Sequence, residues 1–245
     1  MFGRGIKGYL LDFLKLNIKR GDLVLEIGSG ERPFIRADIL VDKFIKDDTE
    51  REGKLMKDRP LVCSDIENLP FKDKSFDYIY CSHIVEHMKT PEKGFEEMMR
   101  VGKKGFIVTP SPLFEKLQGW SVHRWFVGIE NGVIVLNQKE KGTFDDTLCN
   151  FWYGLDNKIH GRMLNRFVRH YDNYLETRYE WDGRIKYRIY YSENIKKETF
   201  IAANTYSHNP LISGKNVAIR ELLKRRFISI TSKLVRRLHS GRDVE

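Results

Sequence analysis

Cysteine is scarce in this sequence, and long apolar runs are missing from it. The three cysteines, Cys63, Cys81 and Cys149, lie far apart and are odd in number. They provide neither a disulfide framework nor a C-x-x-C metal motif, so we expect a chain of the reducing cytoplasm. Because no segment approaches the ~20 apolar residues of a membrane-spanning helix, we expect any contact with a membrane to be peripheral.

A secretory signal is also not indicated at the amino terminus. The apolar run there is interrupted by Asp12 and Lys15, and no small-residue cleavage site follows it. The 245 residues are 41% apolar and 12% aromatic, which is typical of a globular protein that buries a core. This length suits one sizeable domain with additions, or at most two small domains.

Positive charge is concentrated at the carboxyl end of the chain. The net charge is +9, and residues 215–245 contain nine Lys and Arg against three acids. The same stretch carries one apolar stripe at steps of three and four residues, formed by Ile219, Leu223, Phe227, Ile230, Leu234 and Leu238. We predict a basic amphipathic helix that contacts an anionic membrane surface or nucleic acid. A solvated helix face is the alternative.

Short apolar runs separated by longer connections predict a mostly parallel sheet. Five such runs precede Pro112, at residues 23–27, 37–42, 60–65, 76–82 and 105–110. Between the last two, Thr90 and Pro91 mark the start of a helix and Gly102 marks its end. Strands that alternate with helices or long connections are typical of an α/β fold with right-handed crossovers.

Two later segments have the pattern of antiparallel hairpins. Asn-Gly lies between β-rich runs in residues 125–139, and Asp-Gly lies between similar runs in residues 174–191. The second half of the chain is therefore predicted to be an antiparallel elaboration of the first half.

The loop after the first predicted strand lacks the third glycine of a dinucleotide-binding motif. Residues 28–30 read Gly-Ser-Gly, but residues 31–33 read Glu-Arg-Pro. Asp42 follows Gly30 by only twelve residues, whereas the ribose-binding acid of that motif comes about 20 residues further on. No full helix fits into this connection, and Glu31 lies where a pyrophosphate would bind. The spacing therefore disfavours a dinucleotide.

Five segments in order resemble class I S-adenosylmethionine-dependent methyltransferases, specifically the type 11 branch that acts on small molecules. They are L-E-I-G-S-G (25–30), the acid that ends the second strand (Asp42), S-D-I-E-N-L-P-F (64–71), F-D-Y-I-Y-C-S-H (76–83) and V-E-H (85–87). The resemblance covers roughly residues 20–112. It implies a Rossmann-like methyltransferase sheet with S-adenosylmethionine as the cofactor and S-adenosylhomocysteine as the product.

The resemblance also implies which residues bind the cofactor. Its methionine part would be held by the first motif, with Glu26, Gly28, Ser29 and Gly30. Asp42 matches the acid that binds the ribose hydroxyls, and Asp65 with Ile66 matches the pair at the adenine. Cys81, Ser82 and His83 match the strand end beside the sulfonium. The short first connection departs from the family pattern, and Arg32 is a candidate to compensate at the methionine end.

The predicted organisation has three parts. Residues 1–112 form the cofactor-binding core, residues 113–214 the remaining sheet and a substrate-side elaboration, and residues 215–245 the basic tail. The implied reaction is in-line methyl transfer, which needs mainly alignment of acceptor and methyl group, to a small-molecule, glycan or lipid-linked acceptor. An RNA methyltransferase and a non-catalytic S-adenosylmethionine sensor are the alternatives. The oligomeric state stays open.

Two histidines are candidate general bases, because imidazole titrates near neutral pH. His83 directly follows the fourth strand. His123 lies in the aromatic segment 120–126, where the family has substrate-binding insertions; an aromatic core is the alternative for the tryptophans there. Only a hydroxyl or protonated nitrogen acceptor requires a base.

Residues 83–87 also fit the H-x-x-E-H zinc motif, in which Glu86 is the base between two metal-binding histidines. The motif lies at a strand-to-helix junction, and no cysteine cluster accompanies it, so we expect His87 to be a packed or capping histidine. Asp145, Asp146 and Asp156 are interpreted as acids that face water. The sequence thus predicts no metal site.

Deletion of residues 215–245 should abolish flotation of the protein with liposomes that contain acidic lipids. The deletion removes both the apolar stripe and the surplus positive charge on which interfacial binding depends. Replacement of Arg236 and Arg237 by Gln keeps the stripe and should weaken flotation in part, and neutral liposomes are the control. Unchanged flotation after the deletion would refute the membrane hypothesis.

Overall fold

The computed structural model of the protein describes residues 16–47, 51, 53–140 and 172–192. The predicted basic tail, Cys149 and the aspartates at 145, 146 and 156 lie outside the described residues. None of the described helices is long and apolar enough to cross a membrane.

The central sheet has six strands and is mostly parallel. Its strands are β1 (Val24–Ile27), β2 (Ile39–Asp42), β3 (Leu61–Cys63), β4 (Phe76–Ser82), β5 (Gly102–Pro110) and β8 (Glu176–Asp182). They follow the order β3-β2-β1-β4-β5-β8, and only β8 runs antiparallel to its neighbour. This is the Rossmann-like α/β sheet that the sequence predicts, with all five early strands confirmed.

Each strand of the parallel part contributes to two apolar layers, because successive side chains point to opposite faces. One layer contains Leu25, Ile79 and Ile107, packed with the helix that follows β4. The opposite layer contains Tyr78, Tyr80 and Phe106, packed with residues of the connection after β1. Burial on both faces explains why these strands are continuous apolar runs.

Helix α1 (Pro91–Val101) confirms the helix predicted between the fourth and fifth strands. Thr90 occupies the capping position without a side-chain bond. Glu67 caps the helix instead, since its Oε1 accepts hydrogen bonds of 2.8 Å from the backbone N–H groups of Lys89 and Thr90. The connection between β1 and β2 differs from the connection that contains α1, because the described residues 28–38 form no helix. The small number of residues in this connection predicts that result.

The first predicted hairpin is confirmed. Strands β6 (Trp125–Glu130) and β7 (Val133–Gln138) pair in antiparallel fashion. Asn131 and Gly132 between them have φ values of 50° and 76°, and two positive φ values are typical of a two-residue hairpin turn. Helix α2 (Pro112–Gln118) connects β5 to this hairpin.

The second predicted hairpin is wrong, although both of its strands form. After the short helix α3 (Asp172–Leu175), β8 pairs with β5, whereas β9 (Tyr187–Tyr190) pairs in parallel with β7 in a separate three-stranded sheet. β8 buries Tyr179 and Trp181 against the core, so tertiary packing overrides the local turn signal of Asp182-Gly183.

Replacement of Gly105 by Ala should destabilise the protein by about 1–3 kcal/mol, the usual cost of overpacking a core. A Cβ at this position would lie 2.4 Å from the carbonyl oxygen of Ile79 and 2.9 Å from the ring of Trp181. Urea denaturation measures the free energy of unfolding. Gly128→Ala in β6 is the matched control, because its Cβ would lie at an ordinary 3.6 Å from Pro112. Equal stability of the two variants would contradict the close packing of β5 between β4 and Trp181 of β8.

Candidate active site

The predicted cofactor residues meet at one edge of the sheet. Ile27 at the end of β1 lies opposite Val41 of β2 and Cys81 of β4, and all three strands are parallel. The segments that follow them therefore leave the sheet at the same edge. Strand order reverses between β1 and β4, and in open α/β sheets such a switch point is where ligands bind.

The loop after β1 has the conformation and the open space that a ligand requires. Gly28 has a φ of 75°, and a Cβ there would lie 2.0 Å from Cδ1 of Ile84. Gly30 has a φ of 55°, and its Cβ position has no described atom within 4 Å. Ser29 is buried, and its hydroxyl has no hydrogen-bond partner among the described residues. This orphaned hydroxyl beside an open position fits the polar methionine part of S-adenosylmethionine.

Glu26 supports this loop from within the core. It is 2% exposed, and its Oε2 accepts a hydrogen bond of 2.7 Å from the N–H of Phe34. Burial raises the pKa of the Glu26 carboxyl well above its usual range, although the Phe34 N–H acts in the opposite direction. This hydrogen bond joins β1 to Phe34, within the short connection between β1 and β2, and so fixes the path of that connection.

Asp42 is held by three donors at the end of β2. Its carboxylate accepts hydrogen bonds from the N–H of Gly30 at 3.0 Å, the N–H of Phe44 at 2.9 Å and Nη2 of Arg51 at 3.0 Å. The side chains of Asp42 and Arg51 are 8% and 7% exposed. Because a carboxylate offers about four acceptor sites, one remains for a ribose hydroxyl. Arg51 is a site residue that no motif in the sequence indicates.

Asp65 and Ile66 have different surroundings. Asp65 forms an ion pair of 2.6 Å with Nζ of Lys43 and accepts a hydrogen bond from the N–H of Glu67. Partial burial raises the pKa of Asp65, but these contacts outweigh burial and lower it overall. Ile66 is buried in the core. Arg32 is the candidate to compensate at the methionine end. Its Nε lies 3.9 Å from Oε1 of Glu31, and its side chain is half exposed.

The end of β4 places His83 in an unusual conformation. Cys81 is fully buried, and burial raises the pKa of its thiol, which marks it as a packing residue. Ser82 ends the strand, and His83 follows with a φ of 57°. Positive φ values are uncommon outside glycine and cluster at functional sites. The imidazole is 23% exposed, with Nε2 4.0 Å from Oε1 of Glu176.

His123 lies beside the same strand end but is buried. It is 3% exposed, and its Nδ1 forms a hydrogen bond of 2.6 Å with Oε2 of Glu115. Glu115 also forms an ion pair with Nζ of Lys139. The sequence gives no sign of this pairing, because the three residues lie on α2, the following loop and the end of β7. Trp125 is a core residue, as the aromatic-core alternative expects.

Glu86 carries a buried charge between these histidines. It lies in a short 3₁₀ turn (Val85–His87) that begins two residues after His83, and it is 1% exposed. Burial by itself raises the pKa of Glu86, but the three neighbouring imidazoles outweigh burial and lower the pKa to about 2. The structure thus brings His83, His87 and His123 together around one carboxylate.

Comparison with known proteins identifies the domain. Residues 40–109 match the family described as a methyltransferase domain, type 11. This segment therefore has the sequence of a class I S-adenosylmethionine-dependent methyltransferase domain, and S-adenosylmethionine is the methyl donor of that family. The family that the sequence motifs resemble is thereby confirmed.

Individual relatives are distant. The chain is 27% identical over 163 residues to malonyl-[acyl-carrier protein] O-methyltransferase of Marinomonas sp. (strain MWYL1), covering 62% of this chain and 49% of that protein. It is 30% identical over 99 residues to an uncharacterized protein of Methanocaldococcus jannaschii, covering 39% and 46%. The chain spans about half the length of these curated relatives.

Solved structures of methyltransferases also align. An S-adenosylmethionine dependent methyltransferase from Mesorhizobium loti is 16% identical, with a TM-score of 0.35, over 55% of this chain and 66% of that chain.

Replacement of Asp42 by Ala should weaken S-adenosylmethionine binding by about 1.5–3 kcal/mol, the typical contribution of a hydrogen bond to a charged group. Isothermal titration calorimetry measures the affinity. Arg51→Ala is the comparison variant, because it breaks the same buried ion pair but keeps the ribose acceptor. We expect both variants to unfold at lower temperature, and Arg51→Ala to lose less affinity than Asp42→Ala because it removes only one of the donors that orient Asp42. An unchanged affinity of Asp42→Ala would refute the ribose assignment.

Proposed function

We propose that the protein transfers a methyl group from S-adenosylmethionine to a small-molecule, glycan or lipid-linked acceptor. The observation that carries this proposal is the edge of the sheet at which β1, β2 and β4 end. There Gly30 leaves open space, the Ser29 hydroxyl lacks a partner among the described residues, and Asp42 is fixed in one orientation. Asp42 falls within the segment that matches the methyltransferase family, and Ser29 and Gly30 precede that segment.

S-adenosylmethionine, when bound, supplies an electrophilic methyl group on a sulfonium. The chain's own contribution is to hold the cofactor and the acceptor in line, which can account for a large part of the rate enhancement. The loop of residues 28–30 receives the methionine part, Asp42 accepts a hydrogen bond from the ribose, and Asp65 lies at the adenine. Glu26 and Arg51 are positioning residues in this arrangement, since they hold the loop and Asp42.

His83 is the better of the two candidate bases. Its imidazole is partly exposed at the end of β4, whereas His123 is buried and bound to Glu115. Glu86 lies 3.4 Å from Nδ1 of His83, so its negative charge stabilises the imidazolium formed when Nε2 takes a proton from the acceptor. A carboxylate acceptor needs no such base.

The acceptor would bind beside the hairpin of β6 and β7. This hairpin packs close to the turn after β4, where Nε1 of Trp125 donates a hydrogen bond to the carbonyl of Met88. The curated Marinomonas relative is named for O-methylation of a malonyl group on a carrier protein. Small-molecule carboxylates are therefore acceptors to test first.

RNA methylation is the second candidate, because the net charge of +9 favours a phosphate-bearing acceptor. The sequence Cys81-Ser82-His83-Ile84 lacks the N/D-P-P-Y/F motif of enzymes that methylate exocyclic amines of bases, which disfavours that reaction.

Incubation of the protein with tritiated S-adenosylmethionine and a host extract should label the small-molecule or lipid-glycan fraction. Gly30→Leu should abolish labelling, because the side chain fills the open position in the cofactor loop. Gly132→Leu is the matched control: Gly132 also has a positive φ and no described atom near its Cβ position, but it lies in the hairpin turn. This control should retain labelling.

The distribution of label decides between the alternatives. Label that is lost on ribonuclease treatment would identify RNA as the acceptor and overturn the preferred substrate class. Cofactor binding without label in any fraction would favour the sensor function over an enzyme.

A further inference from the structure

Glu86 is a buried carboxylate that lacks a conventional partner. Neither of its oxygens has a hydrogen-bond partner within the described residues. Nδ1 of His83 lies 3.4 Å from Oε1, but this contact does not have hydrogen-bond geometry. An isolated carboxylate in a protein interior is costly unless a cation or several donors balance it. The position of Glu86 therefore calls for positive charge, which protonated imidazoles or a bound metal ion can supply.

Two imidazoles face the same point as this carboxylate. Ligand atoms of Glu86, His87 and His123 all lie within 4.8 Å of one another. The rings of His87 and His123 meet edge to face at 4.5 Å. Ligands bound to one ion at about 2.0–2.2 Å lie about 3–4 Å apart, so small side-chain rotations suffice to close the three groups around a metal.

Glu115 orients His123 in the way that metal-binding histidines require. Its carboxylate fixes Nδ1 of His123 at 2.6 Å, which leaves Nε2 as the ring nitrogen available to an ion. Such carboxylate–histidine pairs are typical of metal sites, where the second carboxylate fixes the tautomer and raises the basicity of the ligand. Lys139 balances the charge of Glu115, so Glu115 itself does not require the metal.

We propose that Glu86, His87 and His123 bind one divalent transition-metal ion of the zinc class. Two imidazole nitrogens and one carboxylate oxygen favour zinc and its neighbours over magnesium or calcium, which prefer oxygen ligands. Three protein ligands leave a fourth position for water or for an acceptor oxygen. The ion links the turn after β4 to the loop before β6, because His123 belongs to that loop. The inference does not depend on methyl transfer.

This site differs from the zinc motif in the sequence. The H-x-x-E-H motif would use His83 and His87 as ligands and Glu86 as a base, on a continuous helix. Here the chain turns at His83, with its positive φ, and only a short 3₁₀ turn follows. The turn makes Glu86 a ligand and brings in His123 from 36 residues further along the chain. The sequence-based expectation of no metal rested on the place of this motif, the lack of a cysteine cluster and aspartates interpreted as facing water, and none of these indicates His123 as a ligand.

Titration of metal-depleted, tag-free full-length protein with Co²⁺ tests the proposal. We expect one equivalent to bind with the visible absorption of a low-coordinate cobalt ion, and Zn²⁺ to displace it. Glu86→Gln and His123→Gln should each weaken binding by more than about 100-fold, since even loss of a partner outside the ligand shell commonly costs 10–100-fold. Glu115→Gln should fall within that smaller range.

His83→Gln is the matched control, because His83 lies beside Glu86 but outside the proposed ligand set. We expect this variant to bind Co²⁺ as the original protein does. Thermal unfolding in chelator checks that each variant is folded, and the more exposed His87→Gln replaces any buried variant that is not. Loss of binding in His83→Gln but not in His123→Gln would overturn the proposed set. Absence of saturable Co²⁺ binding would overturn the metal site and show that protonated imidazoles alone balance the negative charge of Glu86.

Discussion

The short connection between β1 and β2 is the constraint on which the cofactor side of the molecule depends. With no helix in residues 28–38, the loop and the end of β2 are held by direct bonds: Phe34 N–H to Glu26 and Gly30 N–H to Asp42. A helix at this place would present several N–H groups to a ligand. In this protein the carboxylate of Asp42 positions the loop instead. Arg51 binds the same carboxylate from its other side.

The other side of the switch point depends on buried charge. Glu86, Glu115, His123 and Lys139 lie almost entirely away from solvent. Breaking one member of such a group is strongly destabilising, whereas the intact group adds little to stability. The group links α2, the loop before β6 and the end of β7 to one another.

Much of the fold could be predicted from the sequence because local signals and burial agree there. The apolar runs of β1 to β5, Pro91 at the start of α1 and the Asn131-Gly132 turn each act within a few residues. The pairing of β8 with β5 could not be predicted, because the open edge of β5 competes with the nearby turn. The same holds for the site residues. Residues at motif positions, such as Asp42, can be predicted from the sequence. Arg51 and Glu115 could not be predicted, because they act through contacts that the spacing of residues does not indicate.

The turn of residues 83–87 connects the two halves of the site. Ile84 packs where a Cβ on Gly28 would lie, so the loop after β1 and the turn after β4 have complementary shapes. Two residues later, the carbonyl of Glu86 accepts a hydrogen bond of 2.7 Å from the N–H of Arg124, next to His123. An ion held by Glu86, His87 and His123 would therefore stiffen the surface against which the glycine loop packs. Metal binding and cofactor binding would then be coupled through a single turn, and by linkage each would strengthen the other to the same extent.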